Sequence, residues 1–257
     1  MSVSLHMGDS FAVIPEHVEP GSVDAIITDP PYGTISAKWD KWFDLDLWWK
    51  NAARVLKDDG IVVMFSDQPF TSMVVCSNME QYRYDWVWDK QRNASALNAK
   101  KRPIKRSEDI LVFSKNTPRY YLEDILVDLE KPIVRAKKGY RTHINKDYGE
   151  FTQTKTGYPV EVLQGFKPVR APLGQDKHPT EKPVDLMEFL TKLYTREGDT
   201  ILDPFMGSGS GGVAAVNLGR NFIGVEQDEK YFGWSVDRIK EASENKDKKD
   251  SEQEVLF

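Results

Sequence analysis

Apolar runs alternate with amphipathic stretches along most of this chain, and the alternation predicts strands and helices in turn. The segments 24–28 and 61–65 are short and mostly apolar, which is typical of strands buried on both faces of a sheet. Residues 44–57 and 184–194 instead place their apolar side chains at helical spacing. Strands that alternate with helices predict an α/β fold, in which helices cover both faces of a mostly parallel sheet.

The remaining elements follow the same patterns, apart from one long interval. Further strands are predicted at 4–7, 84–88, 110–113, 200–202 and 221–225, a short helix and turn at 11–20, and further helices at 68–79, 211–218 and 231–242. From 114 to 177 no periodicity persists, and Gly, Pro, Thr, Tyr and Lys dominate. This interval is expected to be a loop-rich insertion outside the central sheet. The charged segment 244–257 is expected to be a disordered tail.

Composition indicates a globular protein that works inside the cell. The 257 residues suffice for one large α/β domain or two small ones, and no apolar run reaches the ~20 residues of a membrane span. The first residues lack the pattern of a signal peptide. The single cysteine, Cys76, excludes an internal disulfide framework and a thiolate metal cluster, and its apolar neighbours predict a buried, inert thiol. A cytoplasmic location without membrane contact is therefore expected.

The net charge of -5 hides a strongly basic interval. No acidic residue occurs from 90 to 106, and the basic residues there are Lys90, Arg92, Lys100, Lys101, Arg102, Lys105 and Arg106. A basic face on an acidic protein is typical of an enzyme that contacts phosphates, so this interval is the candidate nucleic-acid contact. A solvated surface without a partner is the alternative.

An unusual motif follows the strand at 24–28. Asp29, Pro30, Pro31 and Tyr32 place a carboxylate, two fixed backbone angles and an aromatic ring at the end of that strand. Oxygen acceptors beside a ring suit a planar group with an exocyclic amine, such as a nucleobase. A rigid exit from the strand is the simpler interpretation, since Asp and Pro are common in turns.

A second motif follows a later strand and opens a helix. Asp203, Pro204 and Phe205 precede four glycines within residues 207–212, and such a loop lets the backbone approach a ligand closely. The loop lacks the Gly-Lys-Ser/Thr ending of a phosphate-binding loop. The next strand ends at Glu226, where doubly wound folds place an acid on a ribose. These features favour a small adenosine-like cofactor over a flexible linker.

The block 178–183, with the sequence His-Pro-Thr-Glu-Lys-Pro, lies just before the helix at 184–194. Thr180 is the predicted N-cap of that helix and Pro183 a first-turn residue. His178 has no second histidine at ligand spacing, so no metal site is predicted. A capping role is compatible with polar contacts between this block and a cofactor.

Taken in chain order, the motifs at 29–32, 178–183 and 203–209 resemble those of amino-methylating DNA methyltransferases that use S-adenosylmethionine. The motif at 29–32 precedes the glycine loop, and this order is similar to that of the permuted beta group, which has N6-adenine and N4-cytosine members. The resemblance covers roughly residues 4–113 and 178–240.

The resemblance implies a doubly wound, Rossmann-like methyltransferase sheet of seven strands in the order 3-2-1-4-5-7-6, with strand 7 antiparallel. Residues 1–113 would form the catalytic half and residues 178–243 the cofactor-binding half. Residues 114–177 would be an inserted, loop-rich target-recognition region, and 244–257 the charged tail.

The resemblance also assigns roles to individual residues. The catalytic residues would be Asp29, Pro30, Pro31 and Tyr32. The cofactor-binding residues would be Asp9, Thr180, Lys182, Asp203, Pro204, Phe205, Gly207, Ser208, Gly209 and Glu226. Asp9 would also lie near the target amine, and the basic residues of 90–106 would bind DNA.

The implied reaction moves a methyl group from S-adenosylmethionine to adenine N6 of double-stranded DNA, and an Asp at position 29 favours adenine. Asp29 and the Pro30 carbonyl would accept the amine protons, and Tyr32 would stack on a flipped base. No metal is required for this chemistry. The family resemblance leaves open a homodimer and a cognate restriction nuclease.

Several alternatives remain open from the sequence. Methylation at cytosine N4 uses the same chemistry, and RNA or protein could be the methyl acceptor. A nicotinamide-dependent oxidoreductase would share only the glycine loop and Glu226, leaving the motif at 29–32 unexplained. A non-catalytic DNA-binding protein could retain the same scaffold.

Overall fold

The computed structural model of the chain describes residues 1–34, 40–94, 99–135, 151–169 and 181–254. In chain order the strands in these ranges are β1 (Val3–Met7), β2 (Val23–Thr28), β3 (Leu56–Ser66), β4 (Tyr82–Ala94), β5 (Lys105–Ser114), β6 (Val127–Arg135), β7 (Phe151–Thr156), β8 (Val162–Leu163), β9 (Thr200–Asp203) and β10 (Asn221–Glu226). The helices are α1 (Ser10–His17), α2 (Leu45–Val55), α3 (Phe70–Ser77), α4 (Val184–Tyr194), α5 (Ser210–Asn217) and α6 (Glu229–Glu254).

The main sheet has eight strands in the order β1-β10-β9-β2-β3-β5-β4-β8. The first five strands of this order are parallel, whereas β5 is antiparallel to both of its neighbours. The first seven reproduce the predicted order 3-2-1-4-5-7-6, with the antiparallel strand in the predicted place. The predicted fold class is therefore confirmed, with one strand more than expected.

Helices cover both faces of the sheet. Alternate residues of each central strand point to opposite faces, so a strand that is apolar throughout needs cover on both sides. On β2, Ala25 and Ile27 belong to one core cluster with residues of α4, α5 and α6. The intervening Ile26 belongs to the other cluster, with residues of α1, α2 and α3. All six residues of β2 are buried, as the apolar run predicts.

The insertion at 114–177 contains more regular structure than predicted. Strands β6 and β7 pair with each other in a separate two-stranded sheet. Strand β8 instead joins the edge of the main sheet, where Val162 lies opposite Val87, and Val87 N donates to the Glu161 carbonyl at 2.8 Å. The prediction that the whole insertion lies outside the central sheet is therefore wrong, because two of its residues cover the backbone edge that β4 leaves open.

The C-terminal segment also differs from the prediction, since α6 continues to Glu254 whereas a disordered tail was expected from 244. Lys246 Nζ donates to the Val216 carbonyl at 3.1 Å, which ties the helix to α5. Glu244 and Lys248 have the i, i+4 spacing that supports a helix. Within the described ranges, none of the helices combines the length and the hydrophobicity that a membrane span requires.

The predicted burial of Cys76 is wrong, because its side chain is exposed on α3. Val74, two positions earlier, is one of the three buried residues of this short helix, with Phe70 and Thr71. Two positions correspond to roughly 200° around a helix, so the thiol points away from the sheet.

Candidate active site

Four parallel strands end at one edge of the sheet and bring the two motifs together. Strand β2 ends directly before Asp29, and β9 ends at Asp203, where the glycine loop begins. The strands are neighbours, with Ile26 opposite Leu202. Thr28 Oγ1 donates a buried hydrogen bond of 2.7 Å to Asp203 Oδ1. A cavity of about 600 Å³ at this edge is lined by both motifs.

Most of the predicted catalytic and cofactor-binding residues line this cavity. They are Asp9, Asp29, Pro30, Pro31, Tyr32, Lys182, Asp203, Pro204, Phe205, Gly207, Ser208 and Glu226. Gly209 is not among the lining residues, and Thr180 and His178 lie outside the described residues. The N-cap of α4 is Pro183, so the predicted cap at Thr180 is wrong. The fold thus gathers in one place residues that are far apart in the sequence.

The Asp29 carboxylate is held by two donors. The Tyr32 hydroxyl donates to Asp29 Oδ1 at 2.5 Å, and Lys182 Nζ donates to Oδ2. The Tyr32 ring also packs against Phe70, with ring centroids 5.5 Å apart. Burial raises the pKa of Asp29, although the Lys182 ammonium offsets part of this effect. Burial and the adjacent Asp29 also raise the pKa of Tyr32 well above its usual value, so the phenol keeps its proton and acts as a donor.

Lys182 lines the cavity and also contacts the motif at 29–32 directly, which the sequence did not predict. Its ammonium lies between Asp29 and Glu108, with Glu108 Oε2 at 3.4 Å, and it sits 4.9 Å from the centre of the Phe65 ring. Burial alone would lower the pKa of Lys182, but the two carboxylates outweigh it and the pKa is raised. Lys182 is therefore a buried cation between two acids.

Glu108 also lines the cavity, although the sequence did not predict it as a site residue. It lies on β5, and because this strand is antiparallel, its first half reaches the edge where the parallel strands end. Glu108 Oε1 pairs with Lys90. Burial would raise the pKa of Glu108, but Lys182 and Lys90 outweigh burial, so the pKa is lowered and the carboxylate stays ionised. The sequence offered one indication of this residue, because Glu108 stands just before the apolar run at 110–113.

The glycine loop and the end of β10 form another wall of the cavity. Glu226 Oε2 accepts from Gly207 N at 2.9 Å, and Oε1 accepts from Asp228 N at 2.8 Å. Burial raises the pKa of Glu226, and these backbone donors oppose the rise. Burial also raises the pKa of Asp203 to about 7, against the stabilising bonds from Thr28 and Phe205 N. Both acids therefore occupy the cavity wall with oxygens held in fixed orientations.

Gly209 serves the packing of the loop. Its φ of +81° is in the left-handed region, and an added Cβ would lie 2.9 Å from Ser235 Cβ on α6. Arg238, also on α6, donates to the Ser208 carbonyl at 2.6 Å and to Glu181 Oε1 at 3.1 Å. The loop and the segment before α4 are thus fixed to the same helix.

An aromatic cluster forms the third side of the cavity. The Phe205 ring packs against Phe43 and Trp48, with centroids 5.4 Å and 5.9 Å apart. Trp42 lines the cavity and keeps 47% of its surface exposed, and its Nε1 donates to the Gly33 carbonyl at 3.2 Å. Planar surfaces of this kind suit an adenosine group or a nucleobase.

Asp9 has a structural role as well as a place in the cavity wall. It is the N-cap of α1, and its Oδ1 accepts from Phe11 N at 2.8 Å. The backbone before it is fixed to the site, because Gly8 N donates to the Glu226 carbonyl at 2.9 Å. Asp9 therefore connects the end of β1 to the end of β10.

The basic interval divides into two groups. Three of its residues are in ion pairs within the protein, namely Lys90 with Glu108, Lys105 with Asp67 and Arg106 with Asp89. The other four are exposed, and they are Arg92, Lys100, Lys101 and Arg102. The fold itself explains the first group, so the prediction of DNA contact depends mainly on the second.

Acidic side chains dominate the cavity. Among the described residues, ten acidic side chains and two lysines line it. One of the two lysines is Lys182, whose charge is already matched by Asp29 and Glu108. A cationic ligand is therefore favoured in this cavity over an anionic one such as a triphosphate.

The sheet order and the two motifs at one cavity are those of the predicted methyltransferase fold. A family model described as DNA methylase matches residues 23–237. This match covers most of the sequence, and the chain belongs to that family of DNA methylases. Family membership favours methyl transfer over the nicotinamide-dependent alternative.

Known proteins resemble the chain over nearly its whole length. The DNA adenine methyltransferase YhdJ of Escherichia coli K12 is 30% identical over 252 residues, which cover 92% of this chain and 82% of that protein. The crystal structure of the M1.HpyAVI–SAM complex has 27% identity and a TM-score of 0.62, covering 92% of this chain and 98% of that one. The cytosine-N4-specific PvuII DNA methyltransferase has a TM-score of 0.66 at 18% identity, over 93% of this chain and 86% of its own, and shares the fold.

Proposed function

We propose that this chain transfers a methyl group from S-adenosylmethionine to N6 of adenine in double-stranded DNA. The observation that carries the proposal is that Asp29 and the glycine loop after Asp203 line one cavity. Thr28, the residue before Asp29, donates a hydrogen bond to Asp203 and so holds the two parts together. Membership of the DNA methylase family and the likeness to an adenine methyltransferase support it.

The residues of the cavity fit S-adenosylmethionine. The acidic lining suits the sulfonium and ammonium groups of this cofactor. Glu226, at the end of β10, would accept the ribose hydroxyls, and Phe205 would pack against the cofactor beside Asp203. When bound, the cofactor supplies an activated methyl group, so the protein needs no metal ion for this chemistry.

The task of the protein is to make the amine of the target base nucleophilic. We assign this task to Asp29 and the Pro30 carbonyl, which would accept the two N–H groups and direct the nitrogen lone pair at the methyl carbon. As the N–C bond formed, the methyl–sulfur bond would break and leave a neutral thioether, and the positive charge would move to nitrogen, where the Asp29 carboxylate would stabilise it. The nitrogen then releases one proton, and the raised pKa of Asp29 makes this carboxylate the acceptor.

The base has to leave the double helix to reach Asp29, because the carboxylate is largely buried, with 21% of its side chain exposed. Phe70 covers one side of the Tyr32 ring, and the other side would hold the extruded base. The exposed Arg92, Lys100, Lys101 and Arg102 would bind the phosphates of the flanking duplex.

The product identifies the reaction. Duplex DNA is incubated with the protein and methyl-tritiated S-adenosylmethionine, digested to nucleosides and separated by chromatography. We expect label in N6-methyladenine. Label in N4-methylcytosine would support cytosine as the methyl acceptor, which the shared fold allows. If no label is transferred to DNA substrates of varied sequence, the proposal is refuted.

The cellular setting follows from the proposed substrate. A DNA-modifying enzyme of this kind would work in the cytoplasm, where bacterial DNA lies, and a cognate restriction nuclease would cut the same sequence when unmethylated. Digestion of modified and unmodified plasmid by the host extract tests for the nuclease. Sedimentation of the protein with and without DNA tests for a homodimer.

A further inference from the structure

The resting site holds a positive charge where the proposed reaction creates another. Lys182 Nζ donates to Asp29 Oδ2, the carboxylate that we assign to the target amine. During methyl transfer the amine nitrogen itself becomes positive, and two cations on one carboxylate repel each other. An ammonium fixed at Asp29 would therefore oppose the reaction that Asp29 is proposed to assist.

Glu108 offers a second place for this ammonium. Glu108 Oε2 is buried and has no hydrogen-bond partner among the described residues, and it lies 3.4 Å from Lys182 Nζ. The other oxygen, Oε1, is held by Lys90, so the carboxylate is oriented before any ligand arrives. The ion pair between Glu108 Oε2 and Lys182 is longer than a charge-assisted hydrogen bond, so a closer approach of the ammonium would satisfy this buried oxygen better.

The path between the two carboxylates is short. Lys182 Nζ already lies within ion-pair distance of both Asp29 and Glu108, so a rotation of its terminal bonds is enough. The Phe65 ring, 4.9 Å from Nζ, presents an aromatic face that stabilises the cation along the way. No shift of the backbone is needed.

We propose that Lys182 moves between two carboxylates, resting on Asp29 in the free enzyme and turning to Glu108 when the target amine occupies Asp29. Glu108 is then a positioning residue that acts through Lys182. This inference rests on the proposed role of Asp29 in methyl transfer. It explains why a lysine and a second acid are buried beside the catalytic motif.

Three variants test the inference, namely Glu108→Gln, Lys182→Met and the double variant. In Glu108→Gln the ammonium stays on Asp29, so we expect kcat to fall at least about tenfold while S-adenosylmethionine affinity changes less than about twofold. Lys182→Met leaves the carboxylates of Asp29 and Glu108 without the cation between them, so that they would share a proton. We expect kcat to fall at least as far as in Glu108→Gln. The double variant removes both the blocking cation and the extra acid, so its kcat should exceed that of either single variant.

Two outcomes would overturn the inference. One is a Glu108→Gln enzyme with wild-type kcat, and the other is a double variant whose loss is the product of the two single losses. Calorimetric cofactor titration and thermal unfolding establish that each variant is folded. If Glu108→Gln fails to fold, Glu108→Asp replaces it, and its shorter carboxylate should give a kcat between the wild type and Lys182→Met. A Glu108→Asp enzyme with kcat outside that interval would count against the inference.

The same assays separate this inference from the proposed function. If the wild type leaves DNA unmethylated, or if Asp29→Ala retains wild-type turnover, the proposed function fails. If the wild type is active, Asp29→Ala is inactive and Glu108→Gln is unaffected, only the movement of Lys182 is refuted.

Discussion

Thr28 and Asp203 are 175 positions apart in the chain, yet Thr28 Oγ1 donates a buried 2.7 Å hydrogen bond to Asp203 Oδ1 at the carboxyl ends of two neighbouring strands. The bond joins the ends of β2 and β9, and so it fixes the spacing between the motif at 29–32 and the glycine loop. It also favours the ionised form of Asp203, whose pKa burial raises to about 7.

This pKa gives cofactor binding a pH dependence. S-adenosylmethionine is cationic at its sulfonium, so ionised Asp203 binds it better than the protonated acid, and we expect affinity to rise from about pH 6 to pH 8. Calorimetric titration measures the change. Asp203→Asn should weaken binding at pH 8 and flatten the plot of affinity against pH. The pKa values of Asp29 and Glu226 are also raised, so their ionisation can add to the pH dependence at lower pH. S-adenosylhomocysteine, which lacks the sulfonium charge, is the control ligand and should show a smaller slope.

The same shift affects folding in the opposite direction. Because the pKa of Asp203 is higher in the folded protein than in the unfolded chain, its protonated form stabilises the fold. That contribution is complete below about pH 4 and is lost as the pH rises through about 7. The free energy of unfolding of the cofactor-free protein should therefore fall less between pH 5 and pH 8 in Asp203→Asn than in the wild type.

Replacing Asp29 by Asn should abolish most of the methyl transfer. The amide keeps the shape of the side chain but loses the charge that stabilises the developing cation, so kcat should fall by about 10²-fold or more. Cofactor affinity should stay within a few-fold of wild type. Glu80→Gln, which removes one exposed acid from the turn after α3, is the matched control and should keep full activity. A fully active Asp29→Asn enzyme would exclude the proposed role.

Replacing Phe205 by Ala should weaken cofactor binding by about tenfold or more, because a stacked or packed aromatic ring contributes roughly 1–3 kcal/mol. The ring also packs on Phe43 and Trp48, so some loss of thermal stability is expected as well. Phe205→Leu retains much of this packing and separates the two effects. Unchanged calorimetric affinity in both variants would assign Phe205 to the core alone.

The exposed basic residues should determine the salt dependence of DNA binding. Replacing Lys100, Lys101 and Arg102 by Ala should lower the slope of log affinity against log salt by up to about 0.9 for each phosphate that is no longer neutralised. A control variant with Lys50, Lys115 and Lys240 replaced has the same net charge and alters other surfaces. An equal change of slope in both variants would mean that net charge, and not this interval, is responsible.

Gly209→Ala should destabilise the protein by about 1–3 kcal/mol, because a Cβ at this position would lie 2.9 Å from Ser235 Cβ. Gly165→Ala is the matched control, since Gly165 also has a positive φ, +97°, but an added Cβ meets no atom within 4 Å. The difference between the two in urea unfolding isolates the packing contribution from the backbone strain. Equal losses of stability would show that the close approach to α6 is unimportant.

Local sequence predicted the main elements because burial and periodicity agree in them. Helix α4 has the predicted bounds of 184–194, and its buried Leu186, Leu190 and Leu193 follow the helical spacing. The predicted strand at 61–65 lies in the C-terminal half of β3, and all five of its residues are buried. Where a single run of residues decides the structure, the pattern is sufficient.

The ion pairs of the site could not be predicted in the same way. Glu108 and Lys182 are 74 positions apart, and their contact depends on β5 running antiparallel, so that its first half reaches the edge of the sheet where the cavity lies. Strand β8 has only two residues and exists because β4 presents an open edge. The exposed Cys76 likewise depends on which side of a short helix faces the sheet. Such features come from tertiary arrangement and leave little trace in neighbouring residues.

The position of β9 beside β2 has a consequence for how the protein is made. Every residue of β2 is buried in the complete fold, yet one of its two neighbours is supplied by residues that leave the ribosome about 170 positions later. Until then the nascent chain carries an apolar strand with an unpaired edge, which is a template for intermolecular association. A product that terminates before Thr200 keeps that edge unpaired permanently and should accumulate in inclusion bodies. Binding of ribosome-associated chaperones to β2 should matter most while residues 29–199 are being synthesised.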